Sequence, residues 1–422
     1  MITTTQSSVF RKTLKGLSPD QIPQENKLWG PDWPQVRELW SLDRSVVHLN
    51  HGSFGAVPIL VQEEQERLRR KVESNPMGSL ARSLAGELDE ARAAAARFLD
   101  AELQGFVFVP NVTTAVGTVL ANVPNLAGGE VLVTDQTYGA VKFAAEKTCR
   151  ARRAKLVVAP VPLPASGPGE LQDAVLSRVS KQTRLAILDH IASPTGLVFP
   201  VSDLVARLHE SDTMVLVDGA HAPGMVDLHL DRLDADFWTG NFHKWCCAPR
   251  GSAGLWVRED HRTTISPLIT SWYVNDGYPS SFRWTGTNDY TPFLATPAAL
   301  KFMGGLSWDR VRVHNRRLAR LGRGMMEAAF ETILPVDLKH DALFEAMTLV
   351  RLPEGLVTTD DEARLLQRQI AEQLSIEALP LAWNNHGYLR LSAQVYNSPA
   401  DFERLSKGLP HVLGKIRQKT SG

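Results

Sequence analysis

The sequence has few cysteines and no excess of charge of either sign. Among its 422 residues are three cysteines, and 46 basic residues balance 46 acidic ones. Three cysteines, two of them adjacent, are too few for a disulfide framework, which favours a reducing, cytoplasmic setting. A net charge of zero gives no general attraction to nucleic acid or to an anionic membrane surface. We therefore expect a cytoplasmic protein that binds neither nucleic acid nor membrane.

Long apolar runs are also absent. No stretch approaches the roughly 20 apolar residues of a membrane-spanning helix. Residues 1–15 are rich in Thr, Ser and Gln and lack the apolar centre of a secretory signal. Hydrophobic residues nevertheless make up 43% of the chain, which is enough to bury a sizeable core and excludes a mostly disordered chain.

Two phosphate-binding motifs and a zinc motif are missing as well. No G-x-G-x-x-G follows the first predicted strand and no G-x-x-x-x-G-K-[ST] occurs, which weakens nicotinamide and nucleoside-triphosphate hypotheses. His243, Cys246 and Cys247 are close in sequence, but no second pair of ligands stands at a usable spacing. We therefore expect no metal.

Short apolar runs alternate with helical stretches from about residue 46 onward, which predicts an α/β fold with a largely parallel, buried sheet. The strand candidates are residues 106–109, 131–134, 155–158, 185–189, 214–218, 237–239 and 254–257. Beyond about residue 300, the pattern changes to a long helix and short strands, which predicts a smaller α+β domain. We expect an arm over residues 1–45, a large domain over 46–300 and a small domain over 301–422, to which the N-terminal segment contributes.

Two polar residues end apolar runs in the large domain. Asp218 follows Val215-Leu216-Val217, and ligands bind at the carboxyl ends of parallel strands. Its carboxylate suits a cation such as a protonated ring nitrogen, or alternatively the N-terminus of a helix. Lys244 ends an aromatic run, and lysine is rarely buried without a partner or a function. It is either a nucleophile toward aldehydes or a lysine whose stem alone is buried.

Motifs around these two residues resemble a known family. Asp218-x-x-His221 precedes the run Asn241-Phe242-His243-Lys244-Trp245, which residues 248–253 follow. They resemble class V aminotransferase-type enzymes that use pyridoxal 5′-phosphate (PLP), with the closest match to the isopenicillin N epimerase-like group. Further segments agree in order: residues 48–55, 108–115, 189–196, 283–287 and 389–392. The resemblance implies PLP fold type I: a large domain with a mostly parallel seven-stranded sheet between helices, plus a smaller C-terminal α+β domain.

The resemblance also implies how the cofactor ring would be held. Lys244 would carry PLP as a Schiff base, and Asp218 would pair with the pyridinium nitrogen and keep it protonated. His221 would lie near the O3′ edge of the ring, which Ser193 could also approach. Tyr138 would stack on the ring, or alternatively be a core aromatic residue.

The phosphate and substrate contacts are implied in the same way. The Thr113 hydroxyl and the Val112 amide would hold the phosphate at a helix start, with His243 as a further contact; the alternative for Thr113 is a helix cap. Thr287 would reach the phosphate of a neighbouring subunit, which requires a homodimer with active sites at the interface. Arg390 offers a planar fork for an α-carboxylate, unless it is a surface arginine. Asn50 and His51 would line the substrate side.

The sequence motifs do not decide which reaction follows at Cα. After removal of the Cα proton, epimerisation, C–S β-elimination and transamination all begin from one carbanion, and decarboxylation is a further route. No mobile loop carries a cysteine, and Cys246 and Cys247 are interpreted as packing residues, which disfavours sulfur transfer to a persulfide. We favour an amino-acid epimerase, of a kind often found in secondary metabolism. The alternatives are a C–S β-lyase of an S-substituted cysteine and, from another class, a non-catalytic PLP-fold sensor or scaffold.

Overall fold

The structure is a computed structural model that describes residues 36–331 and 343–420. Most of the predicted arm, including Trp29 and Trp33, lies outside the described residues. The chain forms two compact units. The first comprises residues 60–193 and 198–302, and the second comprises residues 36–59, 194–197, 303–331 and 343–420.

The elements of the described chain follow one another in a regular order. The strands are β1 (Val47–His48), β2 (Phe106–Val109), β3 (Glu130–Thr134), β4 (Lys155–Ala159), β5 (Thr183–Asp189), β6 (Met214–Asp218), β7 (Phe237–Asn241), β8 (Ala253–Val257), β9 (Met347–Arg351), β10 (Ile376–Glu377), β11 (Leu379–Trp383) and β12 (His386–Ser392). The α-helices are His51–Phe54, Ile59–Ser74, Leu84–Phe98, Val112–Asn122, Gly139–Arg152, Pro168–Leu176, Val201–His209, Leu230–Leu233, Thr291–Leu294, Thr296–Gly305, Trp308–Phe330, Asp360–Leu374 and Pro399–Thr420. A π-helix spans Met77–Ser83. None of the described helices combines the length and the hydropathy that crossing a bilayer requires.

The first unit is built on a seven-stranded sheet with the order β2-β8-β7-β6-β5-β3-β4. Neighbouring strands are parallel throughout except where β8 pairs with β2 and with β7. Because β8 runs against both of its neighbours, β2 has the same direction as β7. The predicted mostly parallel seven-stranded sheet is therefore confirmed, with strand bounds that differ from the predicted ones by at most two residues.

Branched apolar side chains hold this sheet to its helices. The helices Val112–Asn122 and Gly139–Arg152 pack their buried residues against Val131, Val133 and Ile187 of the sheet. A fully buried side chain of this kind stabilises the fold by about 1.5–3 kcal/mol relative to an exposed one. Polar residues at the strand ends are consequently carried on a well-packed support.

The second unit contains an antiparallel sheet of order β11-β12-β9 and a parallel pair formed by β1 and β10. Strand β11 was not predicted, because Pro380 is unusual within a strand; β11 lies at the sheet edge, where proline is tolerated. The last helix begins at Pro399 and continues past Pro410 to Thr420. Leu405, Leu409 and Val412 are all buried on it, so packing outweighs the local penalty of proline.

Candidate active site

The carboxyl ends of the parallel strands in the first unit lie along one edge of the sheet, where ligands bind in open α/β sheets. Strands β7, β6, β5 and β3 are consecutive neighbours there. Lys244 follows β7, Asp218 ends β6, Asp189 ends β5 and Tyr138 follows β3. Thr113 follows β2, which runs in the same direction. The topology thus brings most of the predicted cofactor residues to one edge.

Lys244 and His221 are in direct contact. The Nζ atom of Lys244 lies 3.0 Å from Nε2 of His221, and the Trp245 indole N–H donates to Nδ1 of the same ring over 3.3 Å. Gly224 allows the turn after β6 to pack closely against the turn that carries Lys244 and Trp245. A Cβ at its position would lie only 2.8 Å from the Trp245 carbonyl oxygen. Its φ of +86° also favours glycine. The lysine is therefore oriented by a histidine that is 1% exposed.

Two carboxyl groups stand side by side next to this lysine. Asp189 and Asp218 are register partners on β5 and β6, and both are buried. Burial raises the pKa of Asp218, while the Ala220 amide and, in its ammonium form, Lys244 act in the opposite direction. Burial and the charge of Asp218 raise the pKa of Asp189 well above its ordinary value, against hydrogen bonds from Thr137 and the Tyr138 backbone. The pair is suited to a cation such as a protonated ring nitrogen.

The helix start near Thr113 differs from the prediction. The helix begins at Val112, and Asn111 is its cap, accepting a hydrogen bond from the Thr114 amide over 2.8 Å. Thr113 is therefore not the cap, and its side chain is exposed. The Val112 amide, predicted to bind phosphate, instead donates to Asn241 Oδ1 over 3.1 Å. This bond ties the helix start to the end of β7, three residues before Lys244.

His243 does not offer a phosphate an N–H group in this structure. Burial lowers the pKa of His243 to about 4, so its ring is neutral at neutral pH. Nδ1 lies 2.9 Å from the Ser252 carbonyl oxygen, which can only accept a hydrogen bond. The remaining nitrogen of the neutral ring is therefore an acceptor. A phosphate contact through it would require protonation.

Tyr138, Ser193 and Thr287 are placed differently from one another. Tyr138 is 48% exposed immediately before the helix Gly139–Arg152, so its ring is not a core aromatic residue. Ser193 is half-buried in the turn after β5.

Thr287 is exposed in the wall of a cavity of about 450 Å³. Leu68, Val72, Leu84, Tyr290 and Leu294 are among the other residues that line this cavity. The contact of Thr287 with a second subunit stays a prediction.

In the second unit, Arg390 is a buried cation and not a surface arginine. It is 2% exposed, and one terminal nitrogen donates to Asn50 Oδ1 and to Ser53 Oγ, each over 3.0 Å. Burial lowers the pKa of Arg390 to about 10, so the guanidinium remains charged at neutral pH. Both acceptors are neutral, so these bonds orient the guanidinium without neutralising its charge. The arrangement suits an anion.

His51 lies in the interior of the same unit rather than on a substrate-lining surface. It is 3% exposed, with Nδ1 2.8 Å from the Tyr396 hydroxyl and Nε2 3.3 Å from Nε2 of Gln394. Both ring nitrogens therefore contact protein side chains, and the predicted substrate contact has no exposed polar atom to make it. The ring instead holds the short helix His51–Phe54, which carries Ser53.

Asp189, Trp245 and Ser53 were not identified as site residues from the sequence. Asp189 shows the same signal as Asp218, an aspartate that ends an apolar strand, and the same rule applied to β5 would have found it. Trp245 and Ser53 gave no comparable signal, because each acts through a partner distant in sequence.

These groups fit PLP. A lysine amine, a buried aspartate, an exposed hydroxyl at a helix start and an exposed aromatic ring share one sheet edge, and Asp189 Oδ2 is buried without a hydrogen-bond partner in the described chain. The fold and this set of groups are those of a fold type I PLP enzyme.

Comparisons with known proteins agree. The sequence model of the family described as Aminotransferase class-V matches residues 57–405. The chain is 35% identical to isopenicillin N epimerase from Amycolatopsis lactamdurans, over 90% of this chain and 98% of that protein. It is 26% identical to an L-cysteine desulfhydrase from Arabidopsis thaliana, over 87% of this chain and 88% of that protein. The structure of a C-DES variant with glycine covalently linked to its PLP cofactor superposes with a TM-score of 0.75 at 19% identity, covering 88% of this chain and 98% of that one.

The chain therefore belongs to the class-V aminotransferase family, whose members are PLP-dependent enzymes that act on amino acids. Its cofactor is PLP, and the predicted family and fold class are confirmed.

Proposed function

We propose that this enzyme is an amino-acid epimerase similar to isopenicillin N epimerase, with Lys244 as the residue that bonds to PLP and moves the Cα proton. The observation that carries the proposal is the Lys244 amine, 3.0 Å from His221 and beside the buried Asp218, at the sheet edge where ligands bind. The 35% identity to an epimerase over 90% of the chain supports the reaction type.

The residues of the first unit would share the work of holding PLP, which when bound supplies an electron sink for the pair left at Cα. Asp218 would face the ring nitrogen, and its carboxylate would keep that nitrogen protonated. The hydroxyl and the backbone N–H of Thr113 would bind the phosphate, since the start of a helix favours an anion. Tyr138 would pack against the ring, and His221 and Ser193 would approach its O3′ edge.

Lys244 would act on the proton at Cα once the substrate has displaced it. The neutral amine accepts that proton from one face of Cα, and its ammonium form returns a proton to the same face, so a second proton donor must act on the other face. Epimerisation requires that a proton be delivered to the face opposite to the one from which the first was removed.

Arg390 is the proposed anchor for the α-carboxylate of the substrate. Its guanidinium stays charged, and Asn50 and Ser53 fix its orientation. A fixed carboxylate restricts the direction of the Cα–H bond, which is what a positioned base needs. We propose His51 as a positioning residue for this pair rather than as a substrate contact.

A direct experiment tests the epimerase proposal. The purified holoenzyme is incubated in deuterated water with a panel of single amino acids and with isopenicillin N, and the products are analysed by chiral chromatography and mass spectrometry. We expect deuterium at Cα together with loss of optical purity. Exchange at Cα without any change of configuration would contradict the epimerase proposal.

A C–S β-lyase is the second candidate, supported by the similarity to an L-cysteine desulfhydrase. All three cysteines are buried, and burial raises the pKa of the Cys246 and Cys247 thiols. Such thiols are poor sulfur acceptors, which favours release of a thiol over its transfer to the protein. Incubation with S-substituted cysteines would then yield pyruvate, ammonia and thiol. Absence of all three products would eliminate this candidate.

We also propose a homodimer, in which Thr287 contacts the phosphate bound by the partner subunit. Leu268, Ile269, Trp272 and Tyr273 are exposed on the segment that precedes Thr287, with Trp272 87% exposed. A contiguous exposed apolar segment is typical of an association surface. The two compact units are proposed to be the large and the small domain. None of the three cysteines forms a disulfide, which is compatible with a reducing, cytoplasmic compartment.

A further inference from the structure

Trp245 is buried directly beside Lys244 and contacts the same histidine. It is 1% exposed, and its indole N–H donates to Nδ1 of His221 over 3.3 Å. On the other side of that ring, Nε2 lies 3.0 Å from the Lys244 amine. The three side chains thus form a short chain in which the histidine is the central member.

The chemistry of these groups determines where the protons are. An indole nitrogen can only donate a hydrogen bond, so Nδ1 of His221 must be an acceptor and carries no proton. A neutral imidazole with an unprotonated Nδ1 carries its proton on Nε2. Nε2–H must then donate to Lys244, and an amine accepts a hydrogen bond only through the lone pair of its neutral form. The imidazole of His221 is therefore the donor in this contact, and the amine of Lys244 is the acceptor in its neutral form.

Several other ionisable groups surround this chain. Asp218 lies on β6, Asp189 on β5, and His243 and Arg250 flank the lysine turn. Burial raises the pKa of Asp218, and burial and Asp218 together raise that of Asp189, so the carboxyl pair does not readily supply two negative charges. His243 is neutral, as its low pKa requires. An Asp218 carboxyl that retains its proton because of burial stabilises an ammonium ion at Lys244 less than a carboxylate would, which is consistent with a neutral amine.

We propose that Trp245 is a positioning residue that sets the tautomer of His221, so that the histidine donates to Lys244 and holds its amine in the neutral form that reacts with the PLP aldehyde. The proposal rests on the proposed role of Lys244. Without the indole N–H, the ring is free to carry its proton on Nδ1 and to accept at Nε2. It would then stabilise the ammonium form of Lys244, which is not a nucleophile.

The test measures capture of PLP by the full-length chain after removal of the cofactor, followed by absorbance as a function of pH. Trp245→Phe removes the donor and retains most of the apolar volume. We expect the midpoint of the rate profile to rise by about one pH unit, so that capture below the midpoint slows about tenfold. A profile unchanged from that of the parent would overturn the proposal.

Trp256→Phe is the matched control, because Trp256 is also buried in the first unit and its indole nitrogen has no hydrogen-bond partner in the described chain. The rate profile of Trp256→Phe should coincide with that of the parent. An equal shift in both variants would show that the effect comes from a general change in packing and would overturn the proposal. Lys244→Ala distinguishes failure of the proposed function from failure of the proposed histidine tautomer. If that variant still captured PLP covalently, the proposed function itself would fail, whereas Lys244-dependent capture with no shift in Trp245→Phe would reject the tautomer alone.

A second measurement needs no tryptophan variant. In the cofactor-free chain labelled with ¹⁵N-histidine, the His221 signals are assigned by their absence in His221→Gln. We expect an unprotonated Nδ1 and a protonated Nε2 at neutral pH. The opposite tautomer would overturn the proposal even if Trp245→Phe failed to fold.

Discussion

Each unit contains one basic side chain of the proposed site, and the surroundings of the two side chains favour opposite charge states. Lys244 in the first unit contacts a histidine and lies near two aspartates whose pKa values are raised. Arg390 in the second unit is bound by the neutral oxygens of Asn50 and Ser53. A lysine can lose its proton and become a nucleophile, whereas an arginine stays charged even when burial lowers its pKa to about 10. The environments are thus matched to a reactive group in one unit and to a permanent charge in the other.

Replacement of the reactive lysine, Lys244, should have the largest effect. Lys244→Ala removes the amine that bonds to PLP and the base for the Cα proton, so turnover should fall by at least ~10³-fold. Borohydride reduction followed by peptide mass analysis should find PLP on Lys244 in the parent and nowhere in the variant. Lys147→Ala, an exposed lysine on the helix Gly139–Arg152, should behave like the parent. A reduced adduct on another lysine of the Lys244→Ala variant would refute the assignment.

Replacement of the permanent cation should change substrate binding instead. Arg390→Lys retains the charge but loses the planar fork, and a lost charge-assisted hydrogen bond of about 1.5–3 kcal/mol corresponds to a KM raised ~10–150-fold. The affinity for PLP should not change, which separates this variant from Lys244→Ala. Arg351→Lys, on strand β9 of the same sheet, is the control. If KM were unaltered in Arg390→Lys, the substrate carboxylate must bind elsewhere.

The same two regions explain what could be predicted from the sequence. Asp218 ends an apolar strand and Lys244 follows one, so each is visible in a window of ten residues, and the alternation of strands and helices predicts the sheet around them. The partners of Arg390 lie 340 and 337 residues away along the chain. The interior position of His51, the Asn241 contact of the Val112 amide and the indole bond of Trp245 likewise depend on tertiary contacts that no local pattern encodes.

The buried carboxyl of Asp189 reduces the stability of the region around Lys244 at high pH. A carboxyl whose pKa is raised on folding binds its proton more tightly in the native state, so stability is lost as pH rises from its ordinary pKa toward the raised one. In the cofactor-free chain, Asp189→Asn should remove this loss and increase the free energy of unfolding at pH 8 by about 1–2 kcal/mol, with little change at pH 4.

Urea unfolding at the two pH values measures the effect of Asp189→Asn. Asp173→Asn, an exposed aspartate on the helix Pro168–Leu176, controls for the change of charge and should alter neither value appreciably. An Asp189→Asn variant that is destabilised equally at both pH values would show that the carboxyl is not a buried charge at neutral pH.

The smallest expected effect concerns the phosphate. Thr113 presents an exposed hydroxyl at a helix start, while His243 is neutral and donates to the Ser252 carbonyl. Thr113→Val should therefore weaken PLP binding about tenfold, the equivalent of one hydrogen bond of about 1.4 kcal/mol, whereas His243→Gln should change it less than about threefold. Equilibrium titration of the cofactor-free chain with PLP measures both. If His243→Gln were the weaker binder, and more so at low pH, the imidazole must gain a proton from the bound phosphate, and the neutral ring described here would be a property of the cofactor-free state alone.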